Sequence, residues 1–184
     1  MDLVTALAVS IGLLGGAATY LYLSDFLGLG LQIWAAFIAW ASFYHCGGKI
    51  QGFTSSILAN LWGVVWGALT LIAFSNLDVG LEAPVWAGIC VAIGVALMIL
   101  GCKIPIFSAI PATVYGYAAT VAFALLTNAV GGLVEPTLPH PAVVRAPSMI
   151  RGAILGLLSD ASACVTANAQ LPIQPRPWSP PPRS

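Results

Sequence analysis

Residues 53–74 read FTSSILANLWGVVWGALTLIAF, a run of 22 without a single Asp, Glu, Lys, Arg or His. At 1.5 Å per residue a helix needs roughly 18 or more apolar residues to cross a hydrocarbon layer about 30 Å thick, so this run is long enough to span one. Lys49 stands before it, and Asp78 and Glu82 stand after it. Moving outward, Pro84 to Cys102 is the next apolar segment and closes on Lys103; on the other side, Phe26 to Tyr44 is preceded by Asp25. Carboxylates and lysines therefore occupy alternate connections. Asp25, Asp78, Glu82 and Glu135 fall in one set, Lys49 and Lys103 in the other.

Composition agrees with that threading. Of 184 residues, 59% are hydrophobic and only 7% charged, whereas a water-facing surface usually needs about 25% charged residues. The expected fold class is all-α, a polytopic transmembrane helical bundle. Its spans are Leu3 to Leu23, Phe26 to Tyr44, Phe53 to Phe74, Pro84 to Cys102, Ile104 to Leu126 and Ala142 to Leu158. Six crossings are expected, or five if the last segment lies in the interface, because it is short and carries Arg145, Pro147 and Arg151. Arg151, near the middle of that segment, would cost about 2.5–3.5 kcal/mol in hydrocarbon unless paired or wet.

The bundle is expected over residues 1–160, and 161–184 read as a disordered tail dense in proline from Pro172 onward. Basic residues in short loops favour the cytoplasm, which places Lys49, Lys103 and both termini inside. The first segment lacks a basic region before its apolar stretch and suits a retained helix better than a cleaved signal peptide.

Lys49-Ile50-Gln51-Gly52-Phe53-Thr54 and Lys103-Ile104-Pro105-Ile106-Phe107-Ser108 share Lys, Ile and Phe in register, as a duplicated two-helix unit would leave them. Small residues four apart recur: Gly12 with Gly16, Gly63 with Gly67, and Ala112 with Gly116. In lipid such pairs let helix backbones approach, so all five glycines are candidate packing positions. Pro111 lies inside the fifth span and is expected to kink it and to face protein.

Ser56 and Asn60 share a stripe with Gly63 and Gly67 on the third span, and Thr113, Tyr117 and Thr120 share one with Gly116 on the fifth. Uncharged hydrogen-bonding stripes can line a path for a small neutral solute, and they can equally bond helix to helix. Trp62 and Trp66, one turn apart, could narrow such a path or simply pack.

No run of basic residues suggests nucleic acid or anionic lipid as a partner. Cys46, Cys90, Cys102 and Cys164 form no CxxC pair, and His45 beside Cys46 lacks a third ligand, with His140 on the opposite side, so no metal or other cofactor is expected. Carboxylates scattered in loops do not make a catalytic pair, so no enzyme is expected.

Ser10-Ile11-Gly12-Leu13-Leu14-Gly15-Gly16, Trp34-Ala35-Ala36-Phe37, Gly47-Gly48 with Gly52, and Gly63-Val64-Val65-Trp66 resemble the YcdZ-like inner-membrane proteins, the DUF1097 family. Phe107, Pro111, Thr113, Gly116, Ala119 and Thr120 look like that family's second block. The resemblance implies a small bacterial cytoplasmic-membrane protein of five or six helices, without a substrate. Two functions remain open from the residues: a passive channel or facilitator for a small neutral solute, acting as a homo-oligomer, or a non-transporting subunit that packs against a partner membrane protein.

Overall fold

The computed structural model describes residues 3–24, 32–77, 79–126 and 141–167, with the side chains of 141–145 and 167 outside the description. All regular structure in it is helical: α1 (Leu3–Leu23), α2 (Ile33–His45), α3 (Lys49–Asn76), α4 (Ala83–Gly101), a 3-10 turn (Pro105–Phe107), α5 (Ile110–Leu126) and α6 (Pro141–Ala167). Among the described residues, four segments are long and apolar enough to span a bilayer, namely α1, α3, α4 and Ala146–Thr166 of α6. The chain is a multi-pass membrane protein.

Helices α2, α3, α5 and α6 pack on one another and form the centre, while α1 rests chiefly on α6 and α4 chiefly on α3. The outer position of α4 follows from its sequence. Val85, Ile89, Val91, Ile93, Leu97 and Leu100 all face outward, which lipid tolerates and water would not. The centre is instead built from small residues, with Ala35, Ala39, Val64, Ala119 and Met149 clustered at its core. Between apolar helices in lipid, van der Waals contact has to replace the missing hydrophobic drive, and small side chains bring more atoms into contact.

Contacts along the bundle fix the direction of each helix. Ser10 near the start of α1 bonds to Ser159 and Ser162 near the end of α6, so these two helices run antiparallel. The Lys49 N–H meets Asp160 of α6, and His45, Cys46, Ser108 and Pro111 line one pocket. The turns bearing Lys49 and Lys103 thus meet at one end. Trp62 of α3 donates to the Met98 carbonyl near the end of α4, which sends Glu82, at the start of α4, to the other end.

The α2–α3 turn is the tightest in the bundle. Gly47 and Gly48 have φ of 94° and 66°, and Lys49 follows at 57°, a left-handed conformation that costs a non-glycine residue about 1–2 kcal/mol. Asp160 offsets part of that cost: its Oδ2 accepts the Lys49 N–H at 3.2 Å, placing a carboxylate at the positive end of the α3 dipole.

Several sequence expectations need correction. Helix α3 begins at Lys49, a full turn before Phe53, and α6 continues past Asp160 to Ala167, so the bundle outlasts the boundary expected at residue 160. Helix α5 begins at Ile110, not Ile104, so Pro111 sits in its first turn, exposed, and neither kinks the helix nor faces protein. The missing N–H of a first-turn proline has no intrahelical partner to lose. Pro147, by contrast, lies inside α6. Residues 49–54 are helical whereas 103–108 form a turn and a 3-10 turn, so the two matched segments do not share a conformation.

Arg151 lies within electrostatic reach of the Tyr22 hydroxyl near the end of α1, toward which its long side chain can extend. Asp25, Asp78, Glu135, His140, residues 26–31 and the proline-rich 168–184 lie outside the described residues.

Candidate functional site

The α3–α5 contact begins with glycine. A Cβ on Gly63 would strike the carbonyl oxygen of Thr113, and one on Gly116 would strike that of Asn60, so each glycine admits the other helix's backbone. Gly67 is less tight: a Cβ there would come to 3.0 Å from the Thr120 Cβ. The two stripes expected to flank a solute path are therefore pressed against each other.

Every polar member of those stripes is buried. Ser56, Asn60, Thr113 and Thr120 have no exposed surface, and Tyr117 retains 6%. Asn60 Nδ2 donates to Ser42 of α2 at 3.1 Å and to Ser56 at 3.2 Å, and Ser56 donates to Ser42 at 3.1 Å. Asn60 Oδ1 has no partner. Turning the amide over would only move the vacancy to the nitrogen, because both hydroxyls lie on one side of it. Thr120 donates back to the Gly116 carbonyl at 3.0 Å and Thr113 to that of Ala109, just before α5, at 3.3 Å, which gives both hydroxyls a local acceptor. The Tyr117 hydroxyl faces Thr70 and Cys90, away from Asn60.

Trp62 and Trp66 pack instead of narrowing a path. Their rings meet edge to face at 5.8 Å, and Trp62 stacks on Phe107 at 4.6 Å. Trp62 also covers Gly101 and donates to Met98, tying α3 to α4 and to the 3-10 turn.

A second polar cluster, at the lysine end, escaped the sequence. Ser159 Oγ donates to the Gly156 carbonyl at 2.8 Å, accepts the Trp40 indole N–H at 2.9 Å and lies 2.7 Å from the Tyr44 hydroxyl. Because its one proton is committed to Gly156, Tyr44 must be the donor, and the hydroxyl is saturated with one donation and two acceptances. Beside it, Asp160 is 95% buried by its 5% exposure, with Oδ2 on Lys49 N–H and Oδ1 without a partner. Ser42 escaped too. Trp40 and Tyr44 share the face of α2 that meets α6, whereas Ser42, two residues from each, faces α3, and a hydroxyl in an apolar run says nothing about its partner until a second helix is placed.

Of the glycines expected to pack, Gly63, Gly67 and Gly116 lie at close approach, whereas Gly12 and Gly16 have nothing within 4 Å. Among the described residues that pair packs against no helix. Ala8 joins it on the exposed side of α1, one turn earlier.

A pocket of about 260 Å³ at the lysine end has His45, Cys46, Ser55, Ser108 and Pro111 in its wall. Tyr115 holds the His45 ring through Nδ1 at 3.4 Å. Burial pushes the Cys46 thiol above its ordinary pKa, which keeps it protonated and a poor metal ligand. No group of three or more His, Cys, Asp or Glu is assembled among the described residues.

The sequence model of one family, described as a protein of unknown function (DUF1097), matches residues 8–164. That range takes in α1 through most of α6, and so both polar clusters. No curated protein and no solved structure gives a significant match to the chain.

Proposed function

Because the chain belongs to the DUF1097 family, whose description assigns no activity, we propose its function from helix packing: a membrane subunit that associates laterally through the outer face of α1. The observation that carries this reading is the contrast among its glycines. Gly63 and Gly67 lie against α5, while Gly12 and Gly16 carry the same spacing with nothing against them among the described residues. Small residues four apart, bare toward lipid, suit a close crossing with a second transmembrane helix. A second copy of this chain is the partner that needs no further assumption.

Six crossings accompany the proposal, with both termini cytoplasmic in a bacterial inner membrane. The shorter helices α2 and α5 are central ones, so longer neighbours shield their ends, and two lysine-bearing turns at one end support the orientation. Passive passage of a small neutral solute between Asn60 and Thr113 would require α3 and α5 to part where their backbones touch.

The test is energy transfer between labelled copies of the full chain in vesicles, together with solute flux. Transfer that falls in Gly12→Leu and Gly16→Leu, with the fold retained, supports association. Undiminished transfer in both variants refutes it. Flux lost in Asn60→Leu and Thr113→Leu would instead restore the passage reading.

A further inference from the structure

A groove of about 400 Å³ runs along the seam between α1 and α6 at the lysine end of the bundle. It follows α6 from Leu158 to Thr166, about 12 Å at 1.5 Å per residue. Asp160 meets the Lys49 N–H, so the polar α2–α3 turn stands level with the groove's inner end, and Thr166 stands about 9 Å further out along α6. The groove therefore begins at the edge of the hydrocarbon and continues through the headgroup layer. Ser10, Ser162 and Thr166 supply the hydroxyls of its wall, and all three already have partners inside the protein. What remains to be covered is apolar.

We propose that the chain's own C-terminal segment covers this groove, with Leu171-Pro172-Ile173 folded back along α6. Position is the first argument. Helix α6 ends at Ala167, one residue past the groove's lip at Thr166, and residues 168–184 continue from that point. Asn168, Ala169 and Gln170 give the chain room to reverse, which brings Leu171 to the lip. A segment tethered there meets the groove at far higher effective concentration than any free partner.

The sequence of the segment is the second argument. Leu171 precedes Pro172 and Gln174 precedes Pro175, and a residue before proline is held out of the helical region and toward extended backbone. Four such residues at about 3.1 Å each cover about 12 Å, the length of the groove. From Leu171 to Pro182 half of the residues are prolines, which carry no N–H, so an extended stretch can lie in the membrane interface with few donors left unpaired. Arg176 and Trp178 follow, residue types that settle at headgroup level. A lipid acyl chain stops below that level and leaves the outer part of the groove bare. Gly12 and Gly16 are not in the groove's wall, so the inference stands apart from the association proposed for α1 and rests only on the membrane-spanning reading.

The experiment places the photo-crosslinker p-benzoylphenylalanine at position 173 of the full chain in lipid vesicles and maps its attachment by mass spectrometry. Isotopically light and heavy copies are mixed, so that attachment within one chain is separated from attachment between chains. The expected product joins position 173 to residues 6–14 or 158–166 of the same chain. Leu171→Asp, which alters only the tail, should lower that yield about tenfold or more, as uncovering one large aliphatic side chain would. Thr166→Trp, which fills the lip, should lower it as well, with helix content unchanged by circular dichroism. Attachment to lipid in place of the groove overturns the proposal, and so does attachment chiefly between light and heavy copies, which would make the groove an interface between copies. A same-chain yield undiminished by Leu171→Asp overturns it too.

Discussion

Replacing Gly63 by alanine tests the closest backbone contact in the bundle. In an open helix the change is favourable, since alanine exceeds glycine by about 1 kcal/mol in helix propensity. Here the new methyl meets the carbonyl oxygen of Thr113, with Tyr117 N at 2.7 Å behind it. Neither is the end of a flexible side chain, so α3 and α5 must separate along their shared length. Overpacking a tight site costs about 1–3 kcal/mol, and a backbone obstacle places this one at the upper end. The net loss is about 2 kcal/mol, and at about 2–4 °C per kcal/mol for a chain of this size the thermal midpoint should fall by about 4–8 °C. Gly12→Ala is the matched control: with nothing within 4 Å it should hold or raise the midpoint. Thermal unfolding followed by circular dichroism in detergent measures both. Equal midpoints for the two variants would refute the claim that α3 and α5 touch at the level of the main chain.

Ser159→Ala strands the Trp40 N–H and the Tyr44 O–H together, so unfolding free energy should drop by about 2–5 kcal/mol, and Trp40→Phe in the same chain should recover part of it in a double-mutant cycle. Asp160→Asn keeps an acceptor for Lys49 while removing a buried charge that lacks a second partner, so its midpoint should match or exceed the wild type; Asp160→Ala should lose about 1–3 kcal/mol. Because burial raises the Cys46 thiol pKa, its thiolate fraction at pH 7.5 is below that of a free cysteine, so site-resolved mass spectrometry should find alkylation slow there and rising with pH.

Membrane insertion was legible in the sequence because it depends on run length and on charged residues, and both are one-dimensional properties. The bounds of α1 could be read directly, as could the placement of the two lysine turns at one end. What could not be read was the direction of each polar side chain. Asn60 was marked as a polar group on an apolar helix, yet its partner Ser42 belongs to another helix, and no periodicity in α3 points to it. Gly12-x-x-x-Gly16 and Gly63-x-x-x-Gly67 are alike as strings; only packing separates the bare pair from the covered one. Pro111 misled for a related reason. A proline inside an apolar run signals a break, and here the break is the helix start itself, since the 3-10 turn at Pro105–Phe107 replaces the expected first turns.

Peripheral attachment also sets an order of disassembly. With α4 held chiefly by α3 and α1 chiefly by α6, peeling either one away leaves the four inner helices with most of their mutual contacts. Local opening free energies should then be graded from the rim inward. Amide protons of α4 and α1 would exchange with solvent-borne deuterium sooner than those of α3 and α5. A force applied along the membrane plane would likewise strip the flanks before it breached the middle.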